Sequence, residues 1–119
     1  MFRTVLAELT RRTPGARWAL IGGADGVPLE TDPADIGQAA ELLAAEYAGL
    51  FCDCLKVTAR TAAGELQGAV LTTDRGRVVM QALTPDYFLL LGLGPQGHTG
   101  KALFEIARAR EAIVEELAI

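Results

Sequence analysis

A run of apolar residues at helical spacing between Pro33 and Thr61 constrains this chain more than any other feature. Ile36, Ala40, Leu43, Tyr47, Leu50, Cys54, Val57 and Thr61 recur at alternating steps of four and three, which puts them on one stripe of an α-helix in heptad fashion. Ala39, Leu42 and Phe51 widen the stripe, while Glu41, Glu46, Asp53, Lys56 and Arg60 leave part of the cylinder polar. Asp32 is placed to cap the first turn. Pro33 suits the first helical position, where its missing N–H costs nothing, and Asp35 adds negative charge near the positive end of the helix dipole. Such a helix would be roughly 40 Å long at 1.5 Å per residue, more than a small domain needs to cover its own sheet. Part of the seam is therefore expected to face a second chain. The alternative is a break near Gly49 or Asp53, with the whole stripe in the core.

A length of 119 residues predicts one domain, residues 1–119, large enough to bury a real core but not to hold two. Net charge is −4 and the isoelectric point about 4.9, which argues against a nucleic-acid partner, because phosphate binding needs clustered Lys and Arg. No apolar run reaches the roughly 18 residues that span a bilayer, so no membrane insertion is expected. Arg3 and Glu8 interrupt the N-terminus before a signal peptide can form, and the expected location is cytoplasmic. Cys52 and Cys54 are the only cysteines. Two apart on a helix, they point about 200° away from each other and read as structural thiols; a C-x-C metal clip would require the helix to be absent.

In chain order, Phe2, Val5, Leu6 and Leu9 form one face of a short helix that Thr13-Pro14-Gly15 ends. Arg17–Gly22 and Val27–Thr31 read as strands joined at Ala24-Asp25-Gly26, with Pro28 suited to an edge. After the long helix, Ala62-Ala63-Gly64 stops it, and Leu66–Thr72, Arg77–Leu83 and Tyr87–Leu91 read as three further strands. The last of these is apolar on both faces, the mark of a central strand. Thr99–Leu117 closes the chain as a helix lined by Ala102, Ile106, Ala109, Ile113 and Leu117. The predicted fold is α+β, a five-stranded antiparallel sheet in the order 2-1-5-4-3. The long helix lies on one face and the two terminal helices on the other. The third strand is left at an edge, a liability unless another chain covers it.

Few residues invite a chemical reading. Gly92-Leu93-Gly94-Pro95-Gln96-Gly97 matches GxGxxG between a strand and a helix, but no strand follows to complete a dinucleotide-binding unit. Gly100-Lys101 lacks the flanking residues of a phosphate loop, so this stretch reads as the loop before the last helix. His98 is the only histidine, leaving no nucleophile-base pair and no multi-histidine metal site within one chain. Neither Glu41 with Glu46 nor Glu115 with Glu116 forms a positioned acid/base pair. No catalytic residue, cofactor or metal is expected. Arg75, in the turn between the third and fourth strands, is the arginine best placed to act as an exception.

The order of elements, Pro14-Gly15 before the first strand, the Asp25-Gly26 hairpin, the Gly64-Glu65-Leu66 entry to the third strand and the Tyr87-Phe88-Leu89-Leu90 strand together resemble the roadblock dynein-light-chain domain. The match covers essentially the whole chain. The resemblance implies a homodimer in which third strands pair into one continuous sheet and the long helices meet on one face. It also implies a partner, since similar bacterial members regulate or scaffold small Ras-like GTPases, including those that control polarity and gliding motility, without supplying a catalytic arginine. The expected dimer contacts are Leu43, Tyr47, Leu50, Cys54, Leu66 and Val70, and the expected partner contacts are Glu41, Glu46 and Asp53. The leading reading is a non-enzymatic dimeric regulator or scaffold of a small GTPase; the other is a structural adaptor or sensory module without one.

Overall fold

Tyr87–Leu93, the most apolar strand, lies in the middle of the sheet because both of its faces are covered. The computed structural model describes residues 2–34, 36 and 38–118. Its elements are α1 (Phe2–Arg12), β1 (Ala16–Gly23), β2 (Pro28–Asp32), α2 (Gln38–Arg60), β3 (Gly68–Thr73), β4 (Gly76–Thr84), β5 (Tyr87–Leu93) and α3 (Thr99–Leu117). The strands are antiparallel in the order β2-β1-β5-β4-β3, as the hydropathy pattern predicts. Register divides the core in two. Leu20, Leu90, Met80 and Ala69 stand in one row across the sheet and face α2, whereas Ala19, Leu91 and Val79 face α1 and α3. Phe88, Leu89, Leu90 and Leu91 are all fully buried, each contributing about 1.5–3 kcal/mol relative to exposure.

The long helix differs from its sequence reading at both ends. It begins at Gln38, not Pro33, and ends at Arg60, 23 residues or roughly 34 Å. Pairing of β2 with β1 continues through Asp32, which stands opposite Ala19, and the residue before a proline is biased toward extended backbone. Asp32 therefore caps nothing; its Oδ2 accepts the Thr10 hydroxyl proton at 2.5 Å. Asp35 lies outside the described residues, and Ile36 packs on the α2-side core from outside the helix. The helix does not break at Gly49 or Asp53. At its end Ala62 takes a positive φ of 54°, and Gly64 one of 105°.

The stripe that α2 turns to the sheet is also not the heptad seam. Among the described side chains of α2, Ala40, Ala44, Ala48 and Phe51 are buried, spaced four, four and three apart. Their small side chains bring the helix close to the strands. Phe51 reaches furthest, its ring centroid 5.2 Å from that of Phe88. The seam lies to one side: Leu43, Tyr47 and Cys54 touch the core with one flank, Leu50 is 37% exposed and Val57 58%. Two adjacent stripes satisfy the same period, and spacing alone does not say which one meets the sheet.

α2 sits toward the β1–β2 end. The Cys52 thiol lies 3.9 Å from the Ala24 carbonyl oxygen, and a Cβ added to Gly26 would come 3.5 Å from Ala45 Cα. Both cysteines are free.

On the opposite face α1 and α3 pack together around one buried charge. Glu105 is 4% exposed, with its carboxylate 2.9 Å from the Lys101 ammonium and 3.7 Å from the Arg108 guanidinium. The Lys101 hydrogen bond, with the charges of Lys101, Arg108 and Arg12, holds this carboxyl below its ordinary range against the opposing effect of burial. Glu105 also borders an open cleft between the two helices, so water screens the pair in part. Because the folded state favours the ionised form, this contribution is present above the ordinary carboxylate pKa and is lost as pH falls through the lowered one. Glu105→Gln is expected to destabilise at pH 7, with a deficit that shrinks as the pH drops below about 4. Urea titrations at several pH values read this, and a deficit constant with pH would contradict it.

Candidate interaction surface

The two edges of the sheet are built differently. At one edge β2 carries Pro28, Glu30 and Asp32 in five residues, and proline and charge are what keep an edge from pairing with another chain. β3 at the other edge reads Gly-Ala-Val-Leu-Thr-Thr, with no charge and no proline, and its last four residues are exposed. Only β4 pairs with it. Its outer row of N–H and C=O groups is open to another strand.

Because α2 leans toward β1 and β2, the sheet beside β3 is bare on that face. Tyr47 and Leu50 of α2 form one wall of a groove of about 160 Å³ whose floor and far side are Ala69, Val70, Leu71, Val78 and Met80. Leu71 is 48% exposed. The Tyr47 hydroxyl is pushed above its ordinary pKa by burial, in keeping with an apolar setting. Edge strand and groove are thus contiguous, one offering backbone hydrogen bonds and the other apolar area.

Tyr47 and Leu50 of the expected dimer contacts come together here, and Val70 borders the groove in the edge strand. Leu43 and Cys54 continue the stripe along α2, and Leu66 packs on the α2-side core just before β3. Val70 stands opposite Val79, so its side chain belongs to the α1/α3 side, whereas Leu71 opposite Val78 faces α2. The groove residues Ala69, Leu71, Val78 and Met80 are missing from the sequence reading. Consecutive apolar residues in an edge strand are the available signal for Leu71; the others require knowing where α2 stops covering the sheet.

Glu41, Glu46 and Asp53 are all exposed. Seven residues apart, Glu46 and Asp53 share one line on the helix, but Glu41 is about 140° round the cylinder from Glu46. A single partner surface flat against the helix meets two of the three. His98 precedes α3 as its N-cap, with no side-chain capping bond. No group of metal-ligating side chains occurs among the described residues, and no described helix is long and apolar enough to cross a membrane.

The family model described as Roadblock/LC7 domain matches residues 2–92. No curated protein matches the chain in sequence. Among solved structures, a Roadblock/LC7 domain from Streptomyces avermitilis superposes with a TM-score of 0.90 at 17% identity, over 98% of this chain and 97% of that one. Myxococcus xanthus MglB gives 0.88 at 13%, over 98% and 94%. The gliding protein MglB from Thermus thermophilus gives 0.82 at 24%, over 94% and 84%. At these identities the likeness is one of fold.

Proposed function

We propose, because the chain belongs to the Roadblock/LC7 domain family, that it is a non-enzymatic, homodimeric regulator or scaffold of a small Ras-like GTPase, acting in the cytoplasm as one domain. The observation that carries the dimer is the unprotected β3 edge beside the uncovered groove of Tyr47, Leu50, Leu71 and Val78. Two copies that pair β3 with β3 extend the sheet across both, and each α2 then settles over the bare strands of the other. The outward sides of the two helices, with Glu46 and Asp53, form a broad platform. Likeness in fold to a gliding protein, MglB, supports a partner of the kind the family resemblance implies.

A platform that reads nucleotide state must bind the two forms of a GTPase differently, and a tenfold preference corresponds to about 1.4 kcal/mol. Any stimulation of hydrolysis then comes from repositioning the GTPase's own groups. The test is to mix the purified chain with the small GTPase encoded nearest its gene, loaded with GDP or with a GTP analogue. Weak binding that favours the analogue, reduced several-fold by Glu46→Lys through lost electrostatic complementarity, is the expected result. Equal affinity for both nucleotide states would remove the regulatory half of the reading, and no binding to either would remove both halves.

A further inference from the structure

β3 carries two rows of backbone groups, and only one of them is used inside the chain. The Ala82 N–H donates to the Gln67 carbonyl oxygen at 2.9 Å, so Gln67 and Ala82 form a hydrogen-bonded pair. In an antiparallel ladder such pairs alternate with pairs that exchange no bond. The register then makes Ala69 opposite Met80, Leu71 opposite Val78 and Thr73 opposite Gly76 the positions bonded to β4. Gly68, Val70 and Thr72 lie between them and turn their N–H and C=O groups outward. Both ends of this outward row are closed. The next position beyond Thr72 is Asp74, in the turn. The next before Gly68 is Leu66, which precedes β3 and packs on the α2-side core, whereas strict alternation would put it with Gly68 and Val70 on the α1/α3 side.

We propose that the two-fold axis of the homodimer passes through Val70, which stands opposite the partner's Val70. The inference rests on the homodimer proposed above and fixes how its two edges meet. A two-fold axis perpendicular to the sheet makes the β3 strands antiparallel and keeps both α2 helices on one face. Centred on Val70, the pairing sets Gly68 against the partner's Thr72 and Thr72 against the partner's Gly68. Every outward N–H and C=O of β3 then meets an outward partner. A slip of one residue would set outward groups against groups already bonded to β4. A slip of two would leave one outward residue of each copy unmatched, a cost wherever the contact excludes water.

The same centre suits the side chains. On the α2 side Leu71 stands beside the partner's Ala69, large against small, whereas a slip of two in one direction sets Leu71 against Leu71 where the helices must settle. Tyr47 and Leu50 border the groove at the level of Ala69, Val70 and Leu71, so these are the α2 residues nearest the axis. The two helices run antiparallel about it. Leu43 and Val57, seven residues on either side of Leu50, then meet across the axis, Leu43 with the partner's Val57. Val57, 58% exposed in one chain, thereby gains an apolar neighbour.

Cysteine cross-linking locates the axis, because only a residue on it meets its own copy. Full-length chains carrying Cys52→Ala and Cys54→Ala, so that no native thiol competes, receive one cysteine at position 69, 70, 71 or 72 and are oxidised with copper phenanthroline. A hydrogen-bonded antiparallel pair has Cα atoms about 5.5 Å apart and the adjacent non-bonded pair about 4.5 Å, both within the roughly 4.4–6.8 Å that a disulfide spans. Val70→Cys is expected to form a covalent dimer, and Ala69→Cys, Leu71→Cys and Thr72→Cys alone are not. An equimolar mixture of Ala69→Cys and Leu71→Cys chains is expected to link as a pair, which tests the same register with Val70 intact. Self-linking at Ala69→Cys, Leu71→Cys or Thr72→Cys in place of Val70→Cys would overturn the register while leaving β3 pairing standing. No link at any of these positions in chains that still weigh as dimers would overturn it by putting the contact elsewhere. A wild-type chain that weighs as a monomer would remove the homodimer and the register with it.

Discussion

Leu50→Asp is expected to convert the dimer to monomers while lowering the stability of the folded chain far less than it lowers dimer affinity. Leu50 is 37% exposed in one chain and forms a wall of the groove beside β3, so a good part of its surface is still open before a second chain arrives. Settling a second α2 over that groove buries it. An aspartate there must give up its hydration in an apolar contact or hold the two helices apart, at a cost of several kcal/mol. A loss of about 4 kcal/mol raises the dissociation constant roughly a thousandfold. Within one chain the substitution costs the lower helix propensity of aspartate, under about 1 kcal/mol, and the apolar area Leu50 already buries there, about 1–2 kcal/mol, less than the cost across the interface. Sedimentation and denaturation therefore separate: the first should show a monomer, the second a small change under conditions where the wild type is also monomeric. A variant that unfolds outright would mean Leu50 belongs to the chain's own core, against its exposure.

Phe51→Ala, one residue on, is expected to act in the opposite way and destabilise the chain itself. Phe51 is fully buried, and its ring stacks tilted against Phe88 across the helix–sheet contact, at 5.2 Å and 46°. The other fully covered residues of α2 are Ala40, Ala44 and Ala48, which bury little area, and Leu43, Tyr47, Cys54 and Leu55 are only partly buried against the same core, so Phe51 is the largest single anchor of α2. Removing a buried phenylalanine costs about 3–5 kcal/mol through lost transfer energy and the cavity left behind. That is a large share of the roughly 5–15 kcal/mol that keeps a domain of this size folded. A urea titration should show a lowered midpoint with an unchanged slope. Leu42→Ala, 65% exposed on the same helix, should stay within about 0.5 kcal/mol of wild type.

The contrast between these neighbours shows what is legible in the sequence. Strand order follows from apolarity: Tyr87–Leu91 can only be central, and Pro28 can only be at an edge. α3 matches its predicted bounds, Thr99–Leu117, because a glycine-rich loop and an uninterrupted stripe mark both events. α2 is harder. Its apolar residues occupy two adjacent stripes, and alanine carries too little hydropathy to announce that Ala40, Ala44 and Ala48 face the sheet while Leu50 and Val57 do not. Its start is misleading because Asp32-Pro33 reads as a helix cap, whereas strand pairing with Ala19 holds Asp32 extended. The groove depends on how far α2 leans toward β1, a tertiary property with no local signature.

Light scattering coupled to size exclusion, on the wild-type chain at micromolar concentration, tests the interface most directly. Pairing through β3 and the α2 groove predicts a mass twice the 12.6 kDa of one chain, falling to a single chain in Leu50→Asp. A wild-type mass of one chain at that concentration would contradict it.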